Sequence, residues 1–272
     1  MVITSLLNPR VKHALALRER KQRKRDGLMV VEGYDEISLA LECAVKPKTL
    51  FFCPALIQSR ETLDSKQAGT AGLFERVRAV EAELIEVDRR VFEKMAYREN
   101  PDGWLAVTPI PLRTLGELQL RENPLLVVVE AVEKPGNLGA ILRSADAAGV
   151  EAVLLCDRTL DVGNPNVIRS SRGTVFSVPV AAAPSEEALK WLRARGIAVV
   201  AATPEADSLY TEANLRGPVA VAVGTEREGL SSVWRQGAIT KARIPMSGRI
   251  NSLNVASATT LFLFEAVRQR KG

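Results

Sequence analysis

The segment IPMSGRINSLNVAS, at residues 244–257, has the composition of a small-molecule pocket. Its Gly, Ser and Asn residues are typical of a loop whose backbone donors and acceptors remain free for a ligand. Ile244, Met246 and Leu253 add apolar side chains, and the chain then passes directly into an apolar helical stretch. Apolar walls with a few polar groups are typical of ligand sites. The segment therefore predicts a binding pocket for a small organic molecule.

The segment PGNLG, at residues 135–139, predicts a turn followed by a helix that Asn137 is suited to cap. Small residues stand four positions before and after Arg143, so they would share its helix face and leave space for an anionic group beside the guanidinium. A plainer alternative makes Asn137 only a cap and Arg143 an ordinary surface or interface arginine. The residues alone favour that alternative.

Glu226 lies between Gly224 and Gly229, in a loop that follows an apolar run ending at Val223. Glycines allow the backbone to approach a cofactor closely, and the carboxylate could hold Asn137 or an arginine in place. The alternative is a tight turn in which Glu226 is only an anion near a helix terminus.

Basic residues are concentrated near the N-terminus, although the net charge of the whole chain is only +5. Such a cluster favours a polyanionic partner, nucleic acid in particular. The alternative is a solvated helix face that keeps the protein in solution. The candidate contacts to nucleic acid are Arg10, Lys12, Arg18, Arg20, Lys21, Arg23, Lys24 and Arg25.

The composition excludes several kinds of site. His13 is the only histidine, which removes most Ser-His-Asp and Cys-His schemes and most histidine metal sites. The cysteines are few and widely spaced, so we expect neither a disulfide framework nor a metal centre. The chain also lacks a Gly-x-Gly-x-x-Gly motif and a Walker-type Gly-Lys-Ser/Thr motif, so the usual nucleotide cradles are missing.

No apolar run is long enough to cross a bilayer, and the polar, basic N-terminus does not have the pattern of a secretory signal. We therefore expect a cytoplasmic protein with no membrane partner.

Alternating strand-like and helical runs predict a small α/β domain over residues 1–109. It would begin with a basic helix at residues 8–25. Prolines and a glycine mark residues 110–124 as a linker or domain boundary. The predicted strands are residues 28–31, 49–52, 84–87 and 104–107, and the predicted helices after the first are near residues 36–42 and 89–95.

Residues 125–272 contain longer, Val-rich runs that are typical of parallel strands covered on both faces. Helices between these runs would form crossover connections, so this part predicts a second α/β domain. Residues 255–267 form a helix that is apolar on most sides and must therefore be buried. The predicted strands are residues 125–129, 152–155, 197–202 and 219–223, with helices near residues 138–148 and 186–195.

Three segments, in this order, resemble the motifs of the SpoU (TrmH-type) RNA ribose 2'-O-methyltransferases. They are EAVEKPGNLGAILRS at residues 130–144, VGTEREGLS at residues 223–231 and the segment at residues 244–257. NPRVK at residues 8–12 and VVEG at residues 30–33 resemble the substrate-binding domain of many members. The resemblance covers most of the chain and is closest in layout to the rRNA-modifying members.

The resemblance implies an N-terminal RNA-binding domain and a C-terminal α/β domain with a mostly parallel sheet and a deep trefoil knot. It implies S-adenosylmethionine as the cofactor, bound in the knotted loop, and no metal. It also implies a homodimer formed through the C-terminal domain, with residues 255–267 divided between the domain core and the interface.

The resemblance further implies roles for individual residues. The polar residues that match the family's active site are Asn137, Arg143, Glu226, Ser252 and Asn254, although Ser252 could equally be a helix N-cap. The residues that would surround the cofactor are Thr203, Gly224, Ile244, Met246 and Leu253.

The reaction requires a ribose 2'-hydroxyl to attack a sulfonium methyl group and to lose its proton. The family proposal makes Arg143 the activator of that hydroxyl. Because the pKa of an arginine exceeds about 12, we expect Arg143 to orient the hydroxyl and stabilise the developing alkoxide. The proton would leave through an RNA phosphate or water.

Residues 169–179, RSSRGTVFSVP, resemble a family segment that faces the RNA. Ser171 and Arg172 are therefore predicted RNA contacts, and a second catalytic role stays open for Arg172. An equally supported alternative makes Arg172 a cation at a helix C-terminus with Gly173 as the cap.

The sequence thus predicts methylation of a ribose 2'-hydroxyl in ribosomal RNA, with transfer RNA as the alternative substrate. A non-catalytic RNA-binding or ribosome-assembly protein of the same fold is the rival hypothesis, and the intact set of matched polar residues argues against it. An α/β oxidoreductase is disfavoured by the missing glycine motif. The departures from the family pattern, which leave the target nucleotide open, are Glu130 in place of the usual Asp, Lys134, Arg227 and Arg249.

Overall fold

The structure, a computed structural model, describes residues 2–61, 67–157, 160–225 and 228–271. The chain divides into two units. The N-terminal unit contains Met1–Pro111 and Val162–Ser177, and the C-terminal unit contains Leu112–Asp161 and Val178–Gly272. The chain therefore enters the C-terminal unit, returns to the N-terminal unit, and then completes the C-terminal unit.

The strands, numbered along the chain, are β1 Leu28–Glu32, β2 Thr49–Phe52, β3 Glu83–Glu86, β4 Trp104–Pro109, β5 Leu112–Arg113, β6 Leu125–Glu130, β7 Ala152–Cys156, β8 Val180–Ala183, β9 Ala198–Ala202, β10 Val219–Val223 and β11 Thr240–Ala242. The helices are α1 Pro9–Ala16, α2 Arg20–Asp26, α3 Tyr34–Glu42, α4 Pro54–Glu61, α5 Gln67–Ala79, α6 Arg89–Met95, α7 Pro135–Ala147, α8 Pro165–Ser171, α9 Thr174–Ser177, α10 Ser185–Ala194, α11 Ser232–Gly237 and α12 Val255–Lys271.

The N-terminal unit is built on a four-stranded sheet in the order β1-β4-β2-β3. β4 runs antiparallel to both β1 and β2, and β2 runs parallel to β3. Each of these strands overlaps a predicted strand. β4 is buried from Trp104 to Thr108 because it lies in the interior of the sheet.

The predicted basic helix at residues 8–25 is in fact two helices, α1 and α2, which are separated at residues 17–19. Leu17 is fully buried, and the chain turns there out of α1. The guanidinium of Arg23 donates to the carbonyl oxygens of Leu17 and Arg18 at 2.7 and 2.6 Å. The prediction of one helix is therefore wrong, because burial of Leu17 breaks it and Arg23 binds the carbonyls that the break leaves free.

The carboxylate of Asp26, at the end of α2, is held by three side chains. His13 Nε2 lies 2.9 Å from Asp26 Oδ2, Gln22 donates to the same oxygen at 2.6 Å, and Arg25 donates to Oδ1 at 3.0 Å. These contacts, that of His13 first, lower the pKa of Asp26 from 3.8 to about 2. The only histidine of the chain thus has a structural partner in this unit.

The lowered pKa of Asp26 predicts a specific acid dependence. A carboxylate of this kind stabilises the fold fully above its unfolded pKa of 3.8, and that stabilisation is lost as pH falls through the folded pKa of about 2. We therefore expect the urea midpoint of the wild type to exceed that of Asp26→Asn at neutral pH and to converge on it as pH falls towards 2. A constant difference between the two midpoints from neutral to pH 2 would contradict the prediction.

The C-terminal unit contains a seven-stranded sheet in the order β11-β9-β10-β6-β7-β8-β5, and all its strand pairs are parallel. β6, β7 and β10 are buried along their whole length. This confirms the α/β class and the parallel sheet expected from the continuous apolar runs. The apolar pattern of the sequence does not predict β5, which is two residues long, β8, which is alanine-rich, or β11, which is partly polar.

The last helix, α12, packs against α7, and the hydroxyls of Ser144 and Thr260 lie 2.6 Å apart between them. One face of α12, including Phe262 and Leu263, is buried. Leu261 and Phe264 remain 37% and 47% exposed. The apolar residues of this helix therefore supply the core on one side and an exposed apolar patch on the other.

Residues 162–177 complete the N-terminal unit through α8 and α9. α8 packs against β1 and α9 packs against α3, and Val167 and Val175 are buried there. Gly173 has a φ of +81°, and a Cβ at this position would lie 3.2 Å from the Cα of Glu36. The positive φ and this close approach together favour glycine.

Candidate active site

A cavity of about 480 Å³ lies at the carboxyl ends of β9, β10 and β11 in the C-terminal unit. In open parallel sheets, ligands bind outside these strand ends, near the point where the strand order reverses. Here β7 lies on one side of β6 and β10 on the other. The cavity is lined by residues from the ends of β9, β10 and β11, from the loop before α12, and from the first turns of α12.

The cavity brings together the residues that were predicted to surround a cofactor. Its lining includes Thr203, Gly224, Ile244, Met246 and Leu253. Ser252, a predicted catalytic residue, also lines it. The loop at residues 244–253 and the ends of two buried strands therefore form one site.

One wall of the cavity is a tight glycine loop. The backbone N–H of Thr225 donates to the carbonyl of Gly229, and that of Gly229 donates back to Thr225, both at 3.1 Å. The Thr225 hydroxyl accepts from the Glu228 N–H at 2.9 Å. A Cβ at Gly224 would overlap the carbonyl group of Gly229, so only glycine fits at that position.

Charged residues that sequence reasoning missed stand around the same cavity. Glu205, Glu228, Arg235 and Arg243 all contribute to its lining. Arg235 lies 3.9 Å from Glu205, a separation at which both groups remain open to a ligand. No periodicity marks these residues in the sequence, since Glu205, Glu228 and Arg243 lie outside the helices and strands and Arg235 lies in the six-residue helix α11. Only the position of Arg243, directly before Ile244, could have suggested its role.

Glu130, the last residue of β6, is a buried carboxylate that joins three segments. It accepts from the backbone N–H of Ser231 at 2.7 Å and from the hydroxyl of Ser185 at 3.0 Å. The same hydroxyl accepts from Trp234 Nε1 at 2.9 Å. A buried carboxylate is tolerated when its oxygens are bound in this way. Glu130 therefore fixes the chain directly after the glycine loop.

Asn137 and Asn254 are in contact, with Asn254 Nδ2 donating to Asn137 Oδ1 at 3.1 Å. Asn254 Oδ1 also accepts from the N–H of Ala256, in the first turn of α12. Asn254, and not Ser252, therefore caps α12. The alternative that Asn137 caps α7 is also wrong, because Lys134 precedes the first helical residue and Asn137 lies in the first turn.

The other predicted catalytic residues that the structure describes are not among those that line the cavity. Arg143 is exposed on α7, and within the described parts of the chain it has neither an ion pair nor a hydrogen-bonded side-chain partner. Neither Arg143 nor Asn137 contributes to the cavity lining. Glu226 lies outside the described residues.

The predicted basic contacts of the N-terminal unit fall into two groups. Those that are exposed and form no ion pair with a described residue are Lys12, Arg20, Lys21 and Lys24. Three others are bound within the protein. Arg10 pairs with Glu83 at 2.6 Å, and Arg25 pairs with Asp26. Arg18 donates to the carbonyl oxygens of Lys94 and Ala96. Arg23 is only 3% exposed, so its predicted contact with nucleic acid is wrong.

Ser171 and Arg172 differ in their surroundings. Ser171 is fully buried and its hydroxyl donates to the carbonyl of Ile168 at 3.0 Å, so its predicted contact with RNA is wrong. Arg172 is exposed and is itself the C-cap of α8, with a left-handed φ of 51°. The alternative in which Gly173 is the cap is therefore wrong, and the guanidinium of Arg172 remains open to solvent.

The described residues contain no group of three or more side chains suited to hold a metal ion. Nor does the described part of the chain include a helix with the length and hydropathy of a membrane span.

Known protein families match both parts of the chain. Residues 124–264 match the SpoU rRNA Methylase family, and residues 8–106 match the MRM3-like substrate binding domain. The two matches together extend over most of the sequence and leave the segment between them unassigned.

Individual proteins are similar over nearly the whole chain. The 23S rRNA (uridine(2479)-2'-O)-methyltransferase of Streptomyces viridochromogenes is 33% identical, over 93% of this chain and 87% of its own length. A crystal structure of an RNA 2'-O ribose methyltransferase is 42% identical, with a TM-score of 0.81 and full coverage of both chains. The AdoMet-bound rRNA methyltransferase from Sinorhizobium meliloti is 32% identical, with a TM-score of 0.88 over 98% of this chain and 97% of that chain.

Proposed function

The chain belongs to the SpoU rRNA methylase family, and from this membership we propose that it transfers the methyl group of S-adenosylmethionine to a ribose 2'-hydroxyl of ribosomal RNA. The observation that carries the proposal is the cavity at the carboxyl edge of the C-terminal sheet, which gathers Thr203, Gly224, Ile244, Met246 and Leu253 around one space. The protein is thus an RNA 2'-O-ribose methyltransferase.

The residues of the cavity fit S-adenosylmethionine, which supplies an electrophilic sulfonium methyl group when bound. Leu230, Leu253 and Phe262 offer an apolar surface for the adenine. The carboxylate of Glu228 and the guanidinium of Arg243 suit the ammonium and carboxylate groups of the methionine portion. A volume of about 480 Å³ is within the usual range for ligand pockets.

The chain's own residues would perform the rest of the reaction. The Asn137–Asn254 hydrogen bond connects the loop at the cavity to α7, the helix that carries Arg143. We assign Arg143 to the 2'-hydroxyl, which it would orient for in-line attack and stabilise as negative charge develops on the oxygen. Since a guanidinium keeps its protons at neutral pH, the proton would pass to water or to an RNA phosphate.

Ribosomal RNA is the proposed substrate because similar proteins that span both units are named as rRNA methyltransferases. The exposed cations Lys12, Lys21, Lys24 and Arg172 suit phosphate contacts, which position RNA without reading its sequence. A protein with this substrate would act in the cytoplasm. Transfer RNA is the alternative substrate that the experiment must separate.

The test is transfer of label from radiolabelled S-adenosylmethionine to purified 23S rRNA, 16S rRNA, tRNA and assembled ribosomal subunits, followed by digestion to nucleosides. We expect label in a 2'-O-methylated nucleoside from rRNA or from a subunit. Label in tRNA alone would overturn the rRNA assignment. Cofactor binding without label in any of these substrates would favour the non-catalytic RNA-binding hypothesis.

Removing the Glu130 carboxylate is expected to weaken cofactor binding from a distance. Glu130→Ala leaves the Ser231 N–H and the buried Ser185 hydroxyl without their acceptor, and an unpaired buried group such as this hydroxyl costs about 1–3 kcal/mol. Because Ser231 follows the glycine loop, we expect the Kd for S-adenosylmethionine, measured by calorimetry, to rise about tenfold, the equivalent of about 1.4 kcal/mol.

Glu130→Gln serves as the matched variant, since its amide oxygen can still accept from Ser231. We expect it to bind the cofactor within a few fold of the wild type. Equal affinity for wild type and Glu130→Ala, with both folded, would refute a positioning role for Glu130.

We also propose that the C-terminal unit has the trefoil knot of its family and forms a homodimer through α12. The knot is supported by the family match and by a strand order in which the late strand β10 stands between β9 and β6. The dimer is supported by Leu261 and Phe264, which lie three residues apart on α12 and remain exposed. An experimental trace of the backbone through residues 219–271 would test the knot.

A double substitution of Leu261 and Phe264 by Asp is expected to convert a dimer into a 29.6-kDa monomer, as measured by light scattering after gel filtration. Charges on this apolar stripe would have to be desolvated in the interface. Leu7→Asp is the control, because Leu7 is 73% exposed in the N-terminal unit. A wild-type protein that is already monomeric would remove the dimer proposal.

A further inference from the structure

Tyr97, two residues after the end of α6 in the N-terminal unit, presents an aromatic ring to solvent with 45% of its surface exposed. Its backbone is firmly held, because its N–H donates to the carboxylate of Glu32 at 2.7 Å and the next N–H, of Arg98, donates to the same oxygen at 3.2 Å. Glu32 is itself buried at the end of β1. Because the backbone that carries the ring is already ordered, a ligand could contact the ring with little further loss of conformational entropy.

A cation stands over this ring. The guanidinium carbon of Arg169, in α8, lies 6.0 Å from the centre of the Tyr97 ring, and Arg169 is exposed. No carboxylate among the described residues pairs with Arg169. The two side chains come from segments 72 positions apart in the sequence, so the fold and not local structure brings them together.

The surroundings of the ring contain two further arginines and one carboxylate, that of Glu32, which accepts from the Tyr97 N–H. Arg18 and Arg98 border a small cleft beside Tyr97. Arg98 is paired with Glu36, whereas Arg18 donates only to the carbonyl oxygens of Lys94 and Ala96 and so keeps an uncompensated charge. The cleft holds only about 20 Å³, which is no more than a water molecule requires. A ligand must therefore lie on the ring and cannot enter the cleft.

From these contacts we propose that Tyr97 and Arg169 form a stacking site for one unpaired base of the substrate RNA, with Arg18 beside it for the adjoining phosphate. Aromatic rings and guanidinium planes are the two surfaces on which proteins stack splayed-out RNA bases. Both occur here next to Arg18, whose guanidinium donates to carbonyl oxygens but has no carboxylate partner among the described residues, and this favours a polyanion over a neutral peptide. The inference rests on the proposed function, because it supplies the N-terminal unit with a specific contact to the RNA.

The test measures binding of the full-length protein to a single-stranded RNA dodecamer of mixed sequence and to the same sequence as a perfect duplex. Stacking of a base on an aromatic side chain typically changes affinity by about 1–2 powers of ten. We expect Tyr97→Ala to weaken single-strand binding about tenfold and to leave duplex binding and S-adenosylmethionine binding unchanged. Tyr97→Trp should restore the single-strand affinity.

Arg169→Ala should weaken single-strand binding. If the Arg169 charge contacts a phosphate, the slope of log K against log salt should also fall by about 0.7, the value for one phosphate contact on a single strand. If Arg169 only stacks on the base, the slope should stay unchanged. Either result with weaker binding supports the site. Arg90→Ala removes an exposed arginine of the same unit and is the matched control. Thermal melting of each variant establishes that it is folded.

Unchanged single-strand affinity for Tyr97→Ala would overturn the stacking site while leaving methyl transfer to rRNA intact. An equal loss for single strand and duplex would also overturn it, because Tyr97 would then act only by holding α8. A wild-type protein that binds no RNA and methylates none would refute both this inference and the proposed function.

Discussion

Arg143→Ala is expected to lower kcat for methyl transfer by a factor on the order of 10²–10³ while leaving the Kd for S-adenosylmethionine nearly unchanged. The split follows from the position of Arg143, which is exposed on α7 and does not line the cofactor cavity. Its loss should remove an interaction with the developing alkoxide and no interaction with the cofactor. Single-turnover kinetics on rRNA and calorimetry with S-adenosylmethionine measure the two quantities separately.

Arg143→Lys distinguishes between charge and shape. Lysine retains the positive charge but lacks the planar, two-pronged donor set of the guanidinium, so we expect only a small part of the activity to return. Arg216→Ala, an exposed arginine elsewhere in the C-terminal unit, is the control and should retain full activity. Nearly full turnover by Arg143→Lys would exclude a specific role for the guanidinium.

Gly224→Ala is expected to abolish tight binding of S-adenosylmethionine, with a Kd at least tenfold higher. The new methyl group would overlap the Gly229 carbonyl and force the glycine loop away from the cavity. Overpacking of this kind typically costs about 1–3 kcal/mol. Calorimetry gives the affinity, and thermal melting shows whether the variant remains folded.

Two further glycines make this prediction specific. Gly217→Ala adds a methyl group that meets no atom within 4 Å, so it should bind the cofactor normally. Gly229→Ala meets no atom either but has a φ of +66°, so it should show an intermediate loss caused by backbone strain alone. If Gly224→Ala bound the cofactor as well as Gly217→Ala does, the glycine loop could not be a wall of the cofactor site.

The strands with continuous apolar runs could be predicted from the sequence, because apolar residue types themselves indicate which segments are buried in the sheet. Residues 219–223, for example, read as a parallel strand and form β10. The break after α1 could not be predicted, because it depends on the burial of Leu17 in the folded unit, after which Arg23 binds the carbonyl oxygens that the break leaves free. The short strand β11 could not be predicted either, since Thr-Lys-Ala has no apolar pattern.

The candidate site shows the same limit. The loop at residues 244–253 could be identified from its composition, and the family resemblance added Thr203 and Gly224 to it. Neither source indicated the burial of Glu130 among Ser185, Ser231 and Trp234, because those partners come together only through the strand order of the folded sheet. Similarly, only the fold places Arg169 over Tyr97.

The return of residues 162–177 to the N-terminal unit constrains how the protein can emerge from a ribosome. When residue 111 has been synthesised, the N-terminal unit still lacks α8 and α9, whose Val167, Ile168 and Val175 belong to its interior. By the time these helices have been synthesised, so have the residues of β5, β6 and β7 of the other unit. The N-terminal unit therefore cannot be completed until part of the other unit has been synthesised, and a fragment that ends at residue 111 would leave the β1 and α3 surfaces uncovered.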